Sequence, residues 1–195
     1  MSLIRETIVG LRMTLILWVL TALIYPFFML GVGLIFPYQA NGSLIKNAQG
    51  QVVGSALIGQ PFASERYFWS RPSTTNYSTG EAAKQTGISG ASNLAPSNPD
   101  LVKRIQSEVS RLNQANIKPT ADLVYTSGSS LDPHISEESA RTQIQRVAKA
   151  RGLDTNQVEI LISKYVDGRF LGIFGESGVN TLKLNLALDA LQTGK

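Results

Sequence analysis

Charged positions vanish from the chain between Arg12 and Lys46, and Met13 to Phe36 reads MTLILWVLTALIYPFFMLGVGLIF. At about 1.5 Å of rise per residue, such a helix covers about 36 Å, enough to cross a hydrocarbon core of about 30 Å with modest tilt. A helix buried in a soluble core would be shorter or would keep a polar stripe. A cleavable leader has an apolar stretch of about 7–15 residues followed by small residues. This run is longer, and Tyr38-Gln39-Ala40 puts a bulky side chain where a small one belongs. The pattern predicts a transmembrane helix over 13–36 behind a short segment 1–12. Pro26 lacks the N–H that the preceding turn needs, so a kink or local loosening is expected there.

Beyond Pro37 the pattern changes to short periodic stretches. Leu44-Ile45 and Val52 to Ile58, separated by Asn47-Ala48-Gln49-Gly50, predict a hairpin. Residues 60 to 98 show neither period. A loop of that length is usually functional or disordered, and the rings of Tyr67, Phe68 and Trp69 argue against plain disorder: either the domain's own core or another chain must cover them. Asn98-Pro99 has the form of a helix start, and Leu101, Val102, Ile105, Val109 and Leu112 mark one helical face. Asp122 to Thr126 reads as a short strand. Ser136 caps a second helix with Glu137 and Glu138 in its first turn, and Gly152 closes it. Asp154 to Gln157 has capping-box spacing ahead of Val158, Leu161, Ile162 and Tyr165. Arg169 to Phe174 and Val179 to Leu184 read as strands, and Asn185 to Leu191 as a short terminal helix. The fold class expected is α+β: one N-terminal transmembrane helix, then a single extracytoplasmic α+β domain over 37–195.

Flanking charge sets the orientation. Arg5 and Arg12 precede the span, while Lys46 is the only basic residue from Phe36 to Ala63. The positive-inside bias places segment 1–12 in the cytoplasm and 37–195 outside. The absence of cysteine fits an oxidising exterior without disulfides. The net charge of +4 is dispersed along the chain, so no nucleic-acid footprint is indicated.

Candidate chemistry centres on Thr126 to Ser136, TSGSSLDPHIS, which holds several serines, Asp132 and the chain's single histidine. A nucleophile, His134 and an acid could in principle form a triad. The chain lacks G-x-S-x-G, however, and nothing places a serine on a strand-to-helix elbow. A structural reading accounts for the same residues: Gly128 permits a tight turn, Asp132-Pro133 starts another beside His134, and Ser136 caps a helix. Paired histidine or cysteine ligands, acidic metal-loop spacing and a phosphate-binding glycine loop are all missing. Asn41-Gly42-Ser43 and Asn76-Tyr77-Ser78 match a glycosylation acceptor pattern that often arises by chance.

Four ordered stretches carry a resemblance. They are Tyr67-Phe68-Trp69-Ser70-Arg71-Pro72-Ser73, Ser89 to Pro99 (SGASNLAPSNP), Ser127 to Ser136, and a fourth from Arg169 through Leu171-Gly172 and Gly175-Glu176 to Val179-Asn180 and Leu184 to Asp189. With the single amino-terminal span, they make the chain resemble the C subunit of the bacterial high-affinity potassium-transporting Kdp P-type ATPase. Ser70 and Ser130 stand where that family usually has glycine, and Ser177-Gly178 replaces its usual Pro-Arg.

The resemblance implies a non-catalytic but essential subunit in the bacterial cytoplasmic (inner) membrane, single-pass, with its amino terminus inside. Its partners would be a potassium-channel-like subunit, a P-type ATPase subunit and a very small membrane subunit. ATP, magnesium and potassium would be handled by those partners, with no cofactor bound by this chain alone. Family members have been described as an assembly factor, as a cap over the potassium entrance and as a contributor to ATP binding. Residues 62 to 98 are then expected against the channel-like subunit, with Tyr67, Phe68, Trp69 and Arg71 as contacts. Asn93, Glu176 and Asn180, within the motifs, are further candidates. Two other classes stay open on the residues alone: a membrane-anchored serine–histidine hydrolase and a solitary ligand-binding module.

Overall fold

A computed structural model describes residues 3–47, 49–79 and 87–193. Parts of the expected hairpin turn (residue 48) and of the long irregular region (80–86) lie outside the described residues. The chain divides into two units, Met1–Ser43 and Leu44–Lys195.

In the first unit, one helix runs from Leu3 to Ile35 and is long and apolar enough to cross a membrane. It begins well before the apolar run, so Arg5 and Arg12 lie on the same rod. It comprises α1 (Leu3–Trp18), a π-helical stretch (Val19–Ile24) and α2 (Tyr25–Ile35). Pro26 cannot donate to the carbonyl one turn earlier, and the backbone widens in the stretch before it. A short α3 (Pro37–Ala40) follows, with Asn41 Nδ2 donating to the Pro37 carbonyl at 2.6 Å.

The second unit opens with the expected hairpin, β1 (Leu44–Lys46) antiparallel to β2 (Val52–Ser55), in the register Leu44 opposite Ser55. The Asn47 carboxamide oxygen accepts from the backbone N–H groups of Gln49 (3.0 Å) and Gln51 (2.9 Å), which fixes the turn. The strand stops at Ser55 instead of reaching Ile58, because the Ser55 hydroxyl accepts from Leu57 N and turns the chain.

A second sheet has the order β3 (His134–Ile135), β5 (Gly178–Asn180), β4 (Val166–Asp167), all antiparallel. Its central strand is wholly buried. Around it pack α4 (Pro99–Gln114), α6 (Glu137–Arg141), α7 (Ile144–Arg151), α8 (Thr155–Lys164) and α9 (Thr181–Thr193). Their caps follow the sequence: Asn98 accepts from Asp100 N, Ser136 from Ser139 N, and Asp154 with Gln157 forms the capping box. Gly152 closes α7 at φ +64°. Leu112, Ile117, Leu123, Val147, Val158, Ile162, Leu184 and Leu188 fill the core.

Further elements differ from expectation. Asp122 to Thr126 is not a strand, because Ala121–Val124 forms a single helical turn, α5, that buries Leu123 and Val124. Arg169 to Phe174 is not a strand either. It folds into a tight turn bridged between Phe170 and Phe174, with Leu171 at φ +54° and Gly172 at φ +75°. The strand expected over 179–184 ends at Asn180, whose side-chain oxygen accepts from Lys183 N (3.1 Å), so α9 starts at Thr181.

Candidate functional site

The motif Tyr67 to Ser73 has no strand partner, yet Phe68 is 0% and Trp69 8% exposed. Buried backbone groups must find partners, and two side-chain amides supply them. Asn185 accepts from Phe68 N (2.8 Å) and donates to Phe68 O (3.0 Å). Gln143 does the same for Trp69, at 2.8 and 3.2 Å. Gln143 also interrupts the helix expected from Ser136 to Gly152, splitting it into α6 and α7. The Trp69 ring lies between the guanidinium groups of Arg111 and Arg146, 4.5 and 4.2 Å from its centre. Burial pulls the Arg146 pKa down to about 10. The rings of Phe68 and Trp69 thus serve the domain's own core. Of the two covers open to these rings, the domain's own core or another chain, the isolated chain supplies the first.

The other residues expected at a partner contact divide by exposure. Tyr67 is half-buried, with its hydroxyl donating to Asp189 Oδ2 at 3.1 Å and its ring beneath the Arg151 guanidinium. Asn180 is fully buried, donating to Ala56 O at 2.8 Å and capping α9, so it too is removed from any contact surface. Asn93, at φ +51°, and Glu176 are exposed. Arg71 is half-buried and donates to Asp132 Oδ2 at 3.1 Å.

The segment around His134 is turn and cap, as the residue types suggest. Asp132 Oδ1 accepts from His134 N (2.9 Å), closing a turn through Pro133, whose carbonyl accepts from Thr181 N (3.0 Å). One part of that reading needs correcting. Gly128 takes no left-handed conformation and has open space around it, whereas Ser130 holds φ +57°. The Ser130 hydroxyl donates to Gly90 O at 2.7 Å and accepts from Thr74 N at 3.2 Å, tying this segment to the long loop.

The cluster lines a cleft of about 1030 Å³ whose walls include Leu57, Asp122, Tyr125, Phe170, Phe174 and Glu176. Along it runs a chain of alternating charge. Arg71 meets Asp132, Asp132 Oδ1 lies 3.6 Å from His134 Nδ1, His134 Nε2 lies 3.3 Å from Asp167 Oδ2, and Lys183 Nζ lies 3.4 Å from the same oxygen. His134 is on β3 and Asp167 on β4, with β5 between them. They meet because Gly178 sits opposite Asp167: a Cβ there would lie 3.2 Å from His134 Cβ.

Hydrogen bonding to Asp132, opposed by partial burial and aided by Asp167, raises the His134 pKa above its ordinary value. Burial pushes Asp132 upward, but the bonds from His134 and the charge of Arg71 outweigh it and leave its pKa lowered. Asp122 is likewise held low. Burial opposes this, but the Ser139 hydroxyl and the backbone N–H and hydroxyl of Ser136 all donate to it.

Chemically, this is a structural strap. Each imidazole nitrogen faces a carboxylate, and among the described residues no serine hydroxyl is hydrogen-bonded to the ring. No group of three or more metal-ligating side chains occurs among the described residues. Sequence reasoning missed Asp122, Asp167, Lys183, Gln143 and Asn185. Asn185 lay inside a quoted motif, but no local signal pairs any of these residues with partners so distant along the chain.

The candidate membrane helix and the mixed domain together define a class: a membrane-anchored protein with one α+β domain. The family of K+-transporting ATPase c chains matches residues 7–190. The chain is 65% identical to the potassium-transporting ATPase KdpC subunit of Microcystis aeruginosa, over 98% of each chain. It is 64% identical to that of Synechocystis, over 95% of this chain and 98% of the relative. To that of Gloeobacter violaceus it is 50% identical, over 98% and 100%. The chain belongs to this KdpC family, potassium-transport subunits of a K+ ATPase.

Proposed function

We propose that the chain is the non-catalytic subunit of an ATP-driven potassium-uptake complex. Its domain lies outside the cytoplasmic membrane, where it aids assembly and docks on the potassium-channel-like subunit. A P-type ATPase subunit and a very small membrane subunit complete the complex, and ATP, magnesium and potassium are handled by those partners. One observation carries the reading: motifs far apart in sequence are tied together, through Arg71–Asp132 and His134–Asp167 along the cleft and through Ser73–Ser130 and the buried Ser70–Thr181 pair. Bonds of this kind hold a surface in shape, and among the described residues no serine hydroxyl is bonded to the His134 ring, which favours a docking platform over a serine–histidine hydrolase. Arg71, Asn93 and Glu176 are the candidate contacts on that platform. A domain on the outer side does not meet cytoplasmic ATP.

Recovery of the full chain from its native membranes in mild detergent tests this. Two larger membrane proteins, one an ATPase, are expected to accompany it, and recovery of the chain alone would overturn the proposal. Orientation has its own test, since the chain has no cysteine. Ser110→Cys is expected to react with an impermeant thiol reagent from outside and Glu6→Cys only after membrane disruption. The reverse pattern would place the domain in the cytoplasm.

A further inference from the structure

The cleft beside the strap has one wall unlike the rest. Phe170, Phe174, Glu176 and Ser177 line it together with Leu57, Asp122 and Tyr125, yet all four belong to the turn that leaves β4 at Asp167 and rejoins β5 at Gly178. Every residue from 168 to 177 is exposed. The hydrogen bonds of this turn stay inside it, between Phe170 and Phe174, Gly172 and Arg169, and Ile173 and Phe170. Beyond the strand pair Asp167–Gly178 at its base, none of its residues bonds or ion-pairs with another described residue outside it. A segment without buried contacts opens locally at low free energy while the rest of a domain stays folded. Gly168, with open space around it, begins the turn, and glycine absorbs a hinge rotation readily.

Only the strap secures the base by side chains. Asp167 Oδ2 lies 3.3 Å from His134 Nε2 and 3.4 Å from Lys183 Nζ. We propose that turn 168–177 is a movable wall of the cleft and that the His134–Asp167 pair is its proton-operated latch, closed while the imidazole is charged and loosened when it is neutral. The proposal depends neither on the side of the membrane that the domain occupies nor on any partner.

The two carboxylates make the latch sensitive to charge. Nδ1 lies 3.6 Å from Asp132 Oδ1, so both ring nitrogens face an acid. Only the imidazolium can donate to both. A neutral ring carries one N–H and turns a lone pair toward the other carboxylate. Whichever acid keeps the hydrogen, the charge-assisted bond to Asp167 is lost, and such bonds are about twice as strong as neutral ones.

Charged groups reach the ring from each element around it except one. Asp132 comes with Arg71 bound to its other oxygen, and Asp167 of β4 comes with Lys183 of α9. The central strand, Gly178 to Asn180, brings no charge. Asp122 and Glu176 also line the cleft. The bond to Asp132, opposed by partial burial and aided by Asp167, raises the pKa of His134 above 6.5. The latch is therefore whole below that pH and loosens as pH rises through the folded value. Lys183 stays beside Asp167 in both states, so β4 keeps its place and the turn alone is freed. A part-exposed pair of this kind shifts an equilibrium about 1.5- to 5-fold.

The test uses the full chain in detergent with spin labels on Ser110→Cys in α4 and Ile173→Cys in the turn. Both sites are exposed, and the chain has no cysteine of its own. Pulsed electron resonance reads the distances between the labels from about pH 5.5 to about pH 9, and proton NMR follows the single histidine over the same range. The population of longer or broader distances is expected to grow about 1.5- to 5-fold with rising pH, at the midpoint of the His134 titration. His134→Gln is expected to give one distribution at every pH, and Asp167→Asn to lower the ring's midpoint and remove the change in distance. Distances that ignore pH while the ring titrates would overturn the proposal, as would a pH response that survives in His134→Gln. A loss of far-ultraviolet circular dichroism at the same midpoint would also overturn it, because the domain and not the turn would then be yielding.

Discussion

Replacing Asn185 with leucine isolates the device that lets an irregular segment live in the core. Leucine has the branching of asparagine with bulkier methyl ends, so the change leaves no cavity and adds some crowding against Phe68. It deletes both hydrogen bonds to Phe68, whose N–H then donates to nothing and whose C=O accepts from nothing at 0% exposure. Each buried backbone group left unpaired costs about 1–3 kcal/mol. Two together come to roughly 2–5 kcal/mol, reduced a little by the apolar gain of leucine. For a unit of this size, 1 kcal/mol moves Tm by about 2–4 °C, so a fall of about 4–20 °C is expected.

Circular-dichroism melts and urea titrations of the full chain in detergent measure it. Asn185→Asp gives a second reading. It keeps an acceptor for Phe68 N but sets a carboxylate against Phe68 O, so it too destabilises. A loss below about 0.5 kcal/mol for Asn185→Leu, the scatter of ordinary surface changes, would refute the idea that this amide holds the segment.

Other outcomes follow from the strap and the caps. His134→Ala in an assembled complex leaves potassium-stimulated ATPase turnover largely intact. A drop of about 100-fold with unchanged assembly, the scale of a lost acid–base group, would revive a catalytic role. The His134 pKa is raised above 6.5, so the stability it contributes is whole below that pH and is lost as pH rises through the folded value. Asp132 is lowered below 3.8, so its share is present above that pH and is lost as pH falls through the folded value. Urea midpoints of the full chain should therefore decline on the alkaline side, and His134→Gln should flatten that decline; identical profiles would count against the bridge to Asp132 and Asp167. Ser136→Ala removes the cap of α6 and a donor to Asp122, and a loss of about 1–2 kcal/mol is expected by the same titration. Gly59→Ala sets a methyl within 2.8 Å of the Asp132 carbonyl, which is backbone and gives little, so thermal stability falls and an unchanged melt would contradict the packing.

Elements whose causes are local were legible in the sequence. The membrane helix follows from an uncharged run, the starts of α4, α6 and α8 from cap residues, and the first hairpin from Asn47 and Gly50. Tertiary partners decided the rest. Asp122 to Thr126 has the Val, Tyr and Thr that strands favour, but the adjacent Leu123 and Val124 both enter the core, which one helical turn achieves and an alternating strand does not. Phe68 and Trp69 looked like anchors for another chain because no local period explained them. Their burial depends on Asn185 and Gln143, 117 and 74 positions away. The turn at 170–174 deceived in the opposite way. Its apolar run suggested a buried strand, whereas its residues face outward.

Ser130, Ser70 and Ser177-Gly178, where the family resemblance leads one to expect other residues, are accommodated by bonds or space within this chain. Ser130 holds φ +57°, a conformation that favours glycine, and its hydroxyl offsets that cost through Thr74 and Gly90. The Ser70 hydroxyl bonds to Gln60 O at 3.0 Å and to Thr181 Oγ1 at 2.8 Å. Gly178 has the widest consequence. A side chain there, such as the arginine expected from the resemblance, would press its Cβ to 3.2 Å from that of His134. With glycine in that place, the imidazole crosses β5 and reaches Asp167, and Asp167 in turn reaches Lys183 at the start of α9. A change in one strand thus lets charge pairing link both outer strands of the sheet to the terminal helix. The strap is a property of this chain's own residues as well as of its fold.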